Sequence, residues 1–156
     1  MTNNNLFFLF SYGSNSINQI KKRLNINRNL PCIPSYFSNH IRIFAGYSKK
    51  WNGGVASYYK YKGSILEGIC TLLTHNELLL MDTFEIGYKR KNVIVSILYD
   101  SKWINVTVQI YKKLDNTYIT EPSKSYLNAI THMLKERNKI MNINKYIYVP
   151  IYYISK

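Results

Sequence analysis

The stretch Leu6-Phe7-Phe8-Leu9-Phe10-Ser11-Tyr12-Gly13-Ser14-Asn15-Ser16-Ile17 decides how the chain is read. Its first five residues are apolar without alternation, the pattern of a strand buried on both faces, and we expect a strand over residues 6–12. Gly13 and Ser14 break the run. Ser16 is a good N-cap, and the residues after it, Ile17-Asn18-Gln19-Ile20-Lys21-Lys22-Arg23-Leu24, form a helical stretch. A strand that stops at a Gly-Ser turn and enters a helix leaves backbone N–H groups without partners. With the positive end of the helix dipole, these donors make a site for a carboxylate or phosphate. The plainer alternative is a strand–turn–helix in which Gly13 supplies only backbone freedom.

The chain has 156 residues, enough for one domain with a real core, and we expect a single domain over residues 1–156. Apolar residues make up 46% and aromatics 15%, which excludes a disordered chain. No apolar run approaches a membrane span, and the polar start Met1-Thr2-Asn3-Asn4-Asn5 lacks the basic lead of a signal peptide. The expectation is a soluble cytoplasmic protein with no membrane partner. Cys32 and Cys70 sit in no metal or redox spacing and are expected as free thiols. The sequon Asn105-Val106-Thr107 falls inside an expected strand and is not read as a glycosylation site. The formal charge of +13 invites a nucleic-acid reading. The basic residues, however, are spread in pairs (Lys21-Lys22, Lys49-Lys50, Lys112-Lys113) through a chain crowded with Lys, Asn, Ile and Tyr, the pattern of a solvated surface. Nucleic acid is therefore not the expected partner.

Further along, residues 25–35 are rich in Asn and Pro and read as a loop that holds Cys32. Ile41, Ile43 and Ala45 mark a strand; Asn52-Gly53-Gly54 reads as a turn, and residues 55–59 and 65–73 as two further strands. Thr74 with Glu77 three residues on forms a capping-box pattern for a helix over 75–84, with Leu78, Met81 and Phe84 on one face. Residues 93–99 read as a strand buried on both sides and 104–110 as one with a wet face, joined at Asp100-Ser101-Lys102 as a hairpin. Ser123 opens the longest helix, to about residue 142, with Tyr126, Ile130, Met133, Leu134, Arg137 and Ile140 at helical spacing. The tail 146–151 reads as an edge strand or clasp, because Pro150 lacks a ladder donor. The order β-α-β-β-β-α-β-β-α-β gives an α+β fold: a small mixed β-barrel or sheet with surrounding helices.

Acids are scarce, eight in all, and two of them, Asp82 and Glu85, close the second helix among Leu80, Met81, Phe84 and Ile86. A carboxylate near a helix C-terminus meets an unfavourable dipole, and apolar neighbours desolvate it. Both effects raise its pKa toward the range of a general base or acid. The alternative is that Asp82 caps locally and Glu85 pairs with Lys89 or Arg90 on the surface. His40, His75 and His132 are far apart and have no ligand spacing, so no metal is expected. Gly13-Ser14 lacks the second glycine of a nucleophile elbow, and Gly53-Gly54 is too little for a phosphate loop.

Four segments, in order, resemble the γ-glutamyl cyclotransferase-like family. Phe10-Ser11-Tyr12-Gly13-Ser14-Asn15 is similar to its opening YGSN loop, and the stretch from Phe44 through Trp51, Gly53, Gly54 and Ala56 to its serine, tryptophan, double-glycine and alanine stretch. Met81-Asp82-Thr83-Phe84-Glu85-Ile86-Gly87-Tyr88-Lys89-Arg90 is similar to its D-x-x-E-G…Y-x-R segment, and Pro122-Ser123-Lys124-Ser125-Tyr126 to its P-S-x-x-Y lead into the last helix. One departure stands out: Ile86 occupies the place directly after the acid where the family often has glycine, with Gly87 following. The resemblance implies a compact mixed barrel and an enzyme that cyclises a γ-glutamyl amide to 5-oxoproline and releases an amine or amino acid, without a cofactor. It implies Glu85 as the proton carrier, with the Gly13, Ser14 and Asn15 backbone N–H groups as donors and Tyr12 as a wall. Tyr88 is a phenol donor or a core or rim residue, and Trp51 with Gly53-Gly54 closes the barrel. γ-Glutamyl amino acids or peptides, γ-glutamyl amines and glutathione are all candidate substrates, for a monomer or homodimer. A silent small-carboxylate binder and a basic nucleic-acid binder are the competing classes; the latter needs one continuous positive face and a steep salt dependence.

Overall fold

The computed structural model describes residues 5–114 and 118–143. The described elements run β1 (Leu6–Ser11), α1 (Ile17–Leu24), β2 (Cys32–Ser48), β3 (Gly53–Thr74), α2 (His75–Phe84), β4 (Tyr88–Tyr99), β5 (Lys102–Lys113) and α3 (Lys124–Ile143). The strands close into a barrel in the order β1-β3-β2-β4-β5. Neighbours are antiparallel except at the closing seam, where β1 runs parallel to β5 through Leu9↔Gln109 and Phe10↔Ile110. Closure leaves β1 with a partner on each side, so the site at its C-terminal end rests on a strand with no free edge.

The apolar run of β1 is used on both faces, as its lack of alternation predicts. Phe8, Phe10 and, just past the strand, Tyr12 point into the barrel beside Ile33, Phe37, Leu72, Val95, Ile97, Val108 and Ile110. Leu9, one position out of phase, packs outside the barrel with Ile20 and Leu24 of α1 and Leu78 and Met81 of α2. This places the turn after β1, the start of α1 and the end of α2 at one rim. Fully burying a Leu or Ile side chain such as Leu9 or Ile20 contributes about 2 kcal/mol each, so this rim is anchored from both sides.

The caps follow the sequence. The Ser16 hydroxyl accepts from Gln19 N, and α1 ends at Asn25 in the left-handed conformation (φ 54°). Thr74 and Glu77 form a reciprocal capping box at α2. Leu78 and Met81 are buried, but Phe84 stays 43% exposed. α3 buries Tyr126, Ile130, Met133 and Arg137; the arginine is satisfied by Glu67 at 2.6 Å and by the Ser35 and Gly68 carbonyls.

The structure corrects several expectations. Cys32 is not in a loop: β2 starts there, and Cys32 to Ser35 pair with Thr71 to Gly68. Pro31 and Pro34 do not prevent a strand here, because a proline can sit at a strand start or wherever its missing donor is not required. The two expected strands at 55–59 and 65–73 are one continuous β3, which with β2 forms a long ribbon bulged near Ser38 and His40. The turn before it spans Ser48 to Asn52, and Gly53-Gly54 already belong to the strand. β4 is not buried on both sides, since Ile94 is 63% exposed. The tail 146–151 lies outside the described residues. Cys32 and Cys70 are buried free thiols, and burial pushes Cys32 up to about 11 and Cys70 to about 12, so both stay protonated and inert. No helix among the described residues is long and apolar enough to cross a membrane.

Candidate active site

Gly13, Ser14 and Asn15 leave the barrel between β1 and α1, and the chain here passes close to β3 and α3. A Cβ at Gly13 would sit tightly against the Ala56 methyl at 3.2 Å and the Tyr126 hydroxyl at 3.3 Å, so the turn passes close to both. A cavity of about 40 Å³ opens on the turn, lined by Tyr12, Gly13, Ser14, Asn15, Glu85 and Tyr88, with Ala56, Tyr111 and Tyr126 completing the wall. That volume accepts a small head group, and the rest of any ligand must lie in the open mouth. Among the described residues, none accepts a hydrogen bond from the backbone N–H groups of Gly13, Ser14 or Asn15. These are the free donors expected where a strand hands over to a helix.

Glu85 is the residue just after α2, and its side chain is only 11% exposed. Its Oε1 accepts from the Asn15 side-chain amide and from Arg23 Nη1 at 3.2 Å, while Arg23 Nη1 also donates to Asn15 Oδ1 at 2.9 Å. No described residue hydrogen-bonds Oε2. Burial pushes the Glu85 carboxyl above the ordinary glutamate range, although Asn15 and Arg23 oppose that rise. The surface pairing with Lys89 or Arg90 does not form. Arg90 instead makes a two-pronged contact to Asp82 at 2.9 and 3.1 Å, and the Tyr111 hydroxyl donates to Asp82 at 2.5 Å.

Tyr12 and Tyr88 are both in the wall. The Tyr12 hydroxyl donates to the Tyr111 carbonyl, and the Tyr88 hydroxyl to the Ala56 carbonyl, each at 2.6 Å. The Tyr126 hydroxyl accepts from Ala56 N at 2.8 Å and lies in hydrogen-bonding contact with Ser14 and Tyr88. Burial holds Tyr12, Tyr88, Tyr111 and Tyr126 above the ordinary phenol range, so all four remain neutral donors.

Tyr126 and Arg23 did not emerge as site residues from the sequence. Tyr126 stands in the quoted P-S-x-x-Y segment and at a core-like helical spacing, so its hydroxyl was hidden behind its ring. Arg23 gave no signal beyond a basic last turn, because its partner lies 62 residues away. Trp51 packs on Tyr126 with ring centroids 5.1 Å apart and does not line the cavity. Gly54 lies against the chain leading into α3: its N–H bonds Glu121 O at 3.0 Å, and a Cβ there would collide with the Thr120 carbonyl. The double glycine thereby lets that lead pack down and brings Tyr126 over the turn. The Ile86 departure is harmless to the cavity. Ile86 is 87% exposed, and Gly87 takes the positive φ (83°) of the turn that links α2 to β4.

His40 stacks on Phe37, His75 lies against Phe7, and His132 pairs with Glu136 at 3.8 Å; the three stay apart. No group of three or more His, Cys, Asp or Glu residues fit to hold a metal ion occurs among the described residues.

No protein-family model and no curated protein matches the chain. Solved structures do. A γ-glutamyl cyclotransferase superposes with a TM-score of 0.73 at 22% identity, over 86% of this chain and 81% of that one. An uncharacterised protein from Homo sapiens gives 0.72 at 21% identity, over 93% and 92%. A yeast γ-glutamyl cyclotransferase specific to glutathione gives 0.55 at 12% identity, over 89% and 88%. Across most of its length, this chain has the γ-glutamyl cyclotransferase-like fold.

Proposed function

We propose that the chain is a single-domain enzyme that cyclises a γ-glutamyl amide to 5-oxoproline and releases the amine or amino acid. The observation that carries this reading is Glu85: a desolvated carboxylate with one oxygen fixed by Asn15 and Arg23 and the other without a hydrogen-bond partner among the described residues, in a cavity shared with the Gly13–Asn15 turn. The fold likeness supports the same reaction class. The substrate brings its own nucleophile, so the protein has to fold it back until its α-amine meets its γ-carbonyl carbon.

In this reading Glu85 Oε2 takes a proton from the α-ammonium. The freed amine forms a C–N bond to the γ-carbon, and the carbonyl oxygen becomes an oxyanion. The scissile C–N bond then breaks as Glu85 returns its proton to the leaving nitrogen and the carbonyl reforms within the five-membered ring. The ring nitrogen gives its second proton to the freed Glu85 carboxylate, which passes it to the released amine, so the amine departs as its ammonium and Glu85 ends ionised. A pKa raised by burial suits a group that must both take and give a proton near neutrality. The backbone N–H groups of Gly13, Ser14 and Asn15 hold the oxyanion or the substrate α-carboxylate. Tyr12 and Tyr88 shape the wall, the Tyr88 hydroxyl proton being held by the Ala56 carbonyl. No step needs a metal or cofactor.

The test is incubation with γ-glutamyl amino acids, γ-glutamyl amines and glutathione, following 5-oxoproline by mass. Release from at least one of them, lost in Glu85→Gln, is the expected result. No release from any compound by the folded wild-type protein overturns the reading.

A further inference from the structure

The last turn of α1 carries Lys21-Lys22-Arg23, and a cation there gains from the helix dipole without leaving solvent. Arg23 nevertheless leaves it: its side chain is only 10% exposed, which is rare for arginine unless a partner needs it. Its guanidinium carbon lies 5.4 Å over the Phe84 ring, and Nη1 is shared between Asn15 Oδ1 and Glu85 Oε1. Asn15 closes the ring by donating to the same Oε1. Among the described residues, both donors therefore fall on one carboxylate oxygen and neither engages the other.

We propose that Arg23 is a positioning residue for Glu85, anchoring Oε1 with a buried positive charge so that Oε2 alone is presented to substrate. This rests on the cyclotransferase reading for its chemical purpose. Around Glu85 the other titratable groups are Lys50 from the β2–β3 turn, Tyr12 beside β1, Tyr88 of β4, Tyr111 of β5 and Tyr126 of α3; Lys22 stands next to Lys50. The four phenols are neutral near pH 7, and Lys50 is a more distant charge lying over Trp51. Arg23 is the cation in hydrogen-bonding contact with the carboxylate.

The experiment compares wild type, Arg23→Met and Arg23→Lys by two readouts. The first is the pH profile of kcat/KM for 5-oxoproline release; the second is a carbon-13 NMR titration of the Glu85 carboxyl, which needs no turnover. Removing a cation that favours the ionised form moves the titration up. The acid limb and the NMR midpoint should therefore both rise by about one pH unit in Arg23→Met, roughly a tenfold loss of activity on that limb. Arg23→Lys restores the charge without the fork, so its midpoint returns toward wild type while kcat stays several-fold low. A merely structural arginine would move neither midpoint, and an unshifted Glu85 titration in folded Arg23→Met overturns the inference. If wild type forms no 5-oxoproline while the NMR midpoint still shifts, it is the cyclotransferase reading that has failed.

Discussion

Asp82 and Glu85 stand three residues apart at the end of one helix, each facing an arginine, yet they are opposite in chemistry. Asp82 is the more open of the two, with 37% of its side chain exposed. Burial alone would push its carboxyl up, but hydrogen bonds from Arg90 and Tyr111 outweigh that and hold it below the ordinary aspartate range. Glu85 lies deeper, and burial outweighs Asn15 and Arg23, leaving its carboxyl above the ordinary range. An arginine contact does not by itself decide the protonation of a carboxylate. The balance of desolvation against the number of donors does. Asp82 spends its oxygens on a structural knot between α2, β4 and β5, whereas Glu85 keeps one without a partner among the described residues.

The strongest attempt to break this contrast is substitution of each acid by its amide. Glu85→Gln keeps the shape but cannot carry a proton, so 5-oxoproline release should fall by at least ~100-fold, with the melting temperature within a few degrees of wild type. Asp82→Asn should keep turnover within roughly threefold, because its carboxylate makes no contact with the turn. Equal losses in the two variants would erase the distinction.

Next comes the pH dependence of stability, which should run in opposite directions. The folded-state pKa of Glu85 is raised, so the folded protein binds more protons than the unfolded chain as pH climbs through and above the ordinary carboxylate range. Stability is lost over that window. Glu85→Gln lacks this loss, so its melting temperature should gain on wild type as pH rises from acid to neutral. Asp82 is depressed and contributes stability above its unfolded pKa that disappears as pH falls. The deficit of Asp82→Asn should therefore be largest near neutrality and shrink in acid. Thermal melts of both variants across that range would show two lines of opposite slope, and parallel lines would remove the electrostatic account.

Smaller effects sharpen the picture. Tyr111→Phe removes one donor from Asp82 and should cost about 1 kcal/mol in denaturant unfolding. It should also raise the Asp82 midpoint in a carboxyl titration. Ser14→Ala removes a hydroxyl near Tyr126 but leaves the backbone N–H that we assign to substrate, so kcat/KM should drop less than tenfold. A loss matching that of Glu85→Gln would move the donor role from the backbone to the side chain.

The cavity was legible in outline. β1, the Ser16 and Thr74 caps, the β4–β5 hairpin and the start of α3 follow from apolar patterning, capping residues and turn residues, which act over a few positions. The quoted motifs drew attention to Tyr12, Gly13, Ser14, Asn15, Glu85 and Tyr88, and all six meet around one cavity. The local signal is overridden where a distant partner competes with it. The prolines beside Cys32 suggested a loop, but pairing with β3 overrode them. Apolar residues at both phases suggested that β4 is covered on both faces, yet Ile94 is 63% exposed.

From sequence alone came the local grammar: an apolar strand entering a Gly-Ser turn and a capped helix, and a scarce acid at the close of another helix. The tertiary structure alone decided which acid faces the cavity. Asp82 and Glu85 share a helix end and apolar neighbours, and what separates them is long-range: Arg23 arrives from α1, Arg90 from β4 and Tyr111 from β5. A carboxylate's proton affinity depends on every charge, donor and water molecule within a few ångströms, and chain order does not encode which ones the closed barrel brings there.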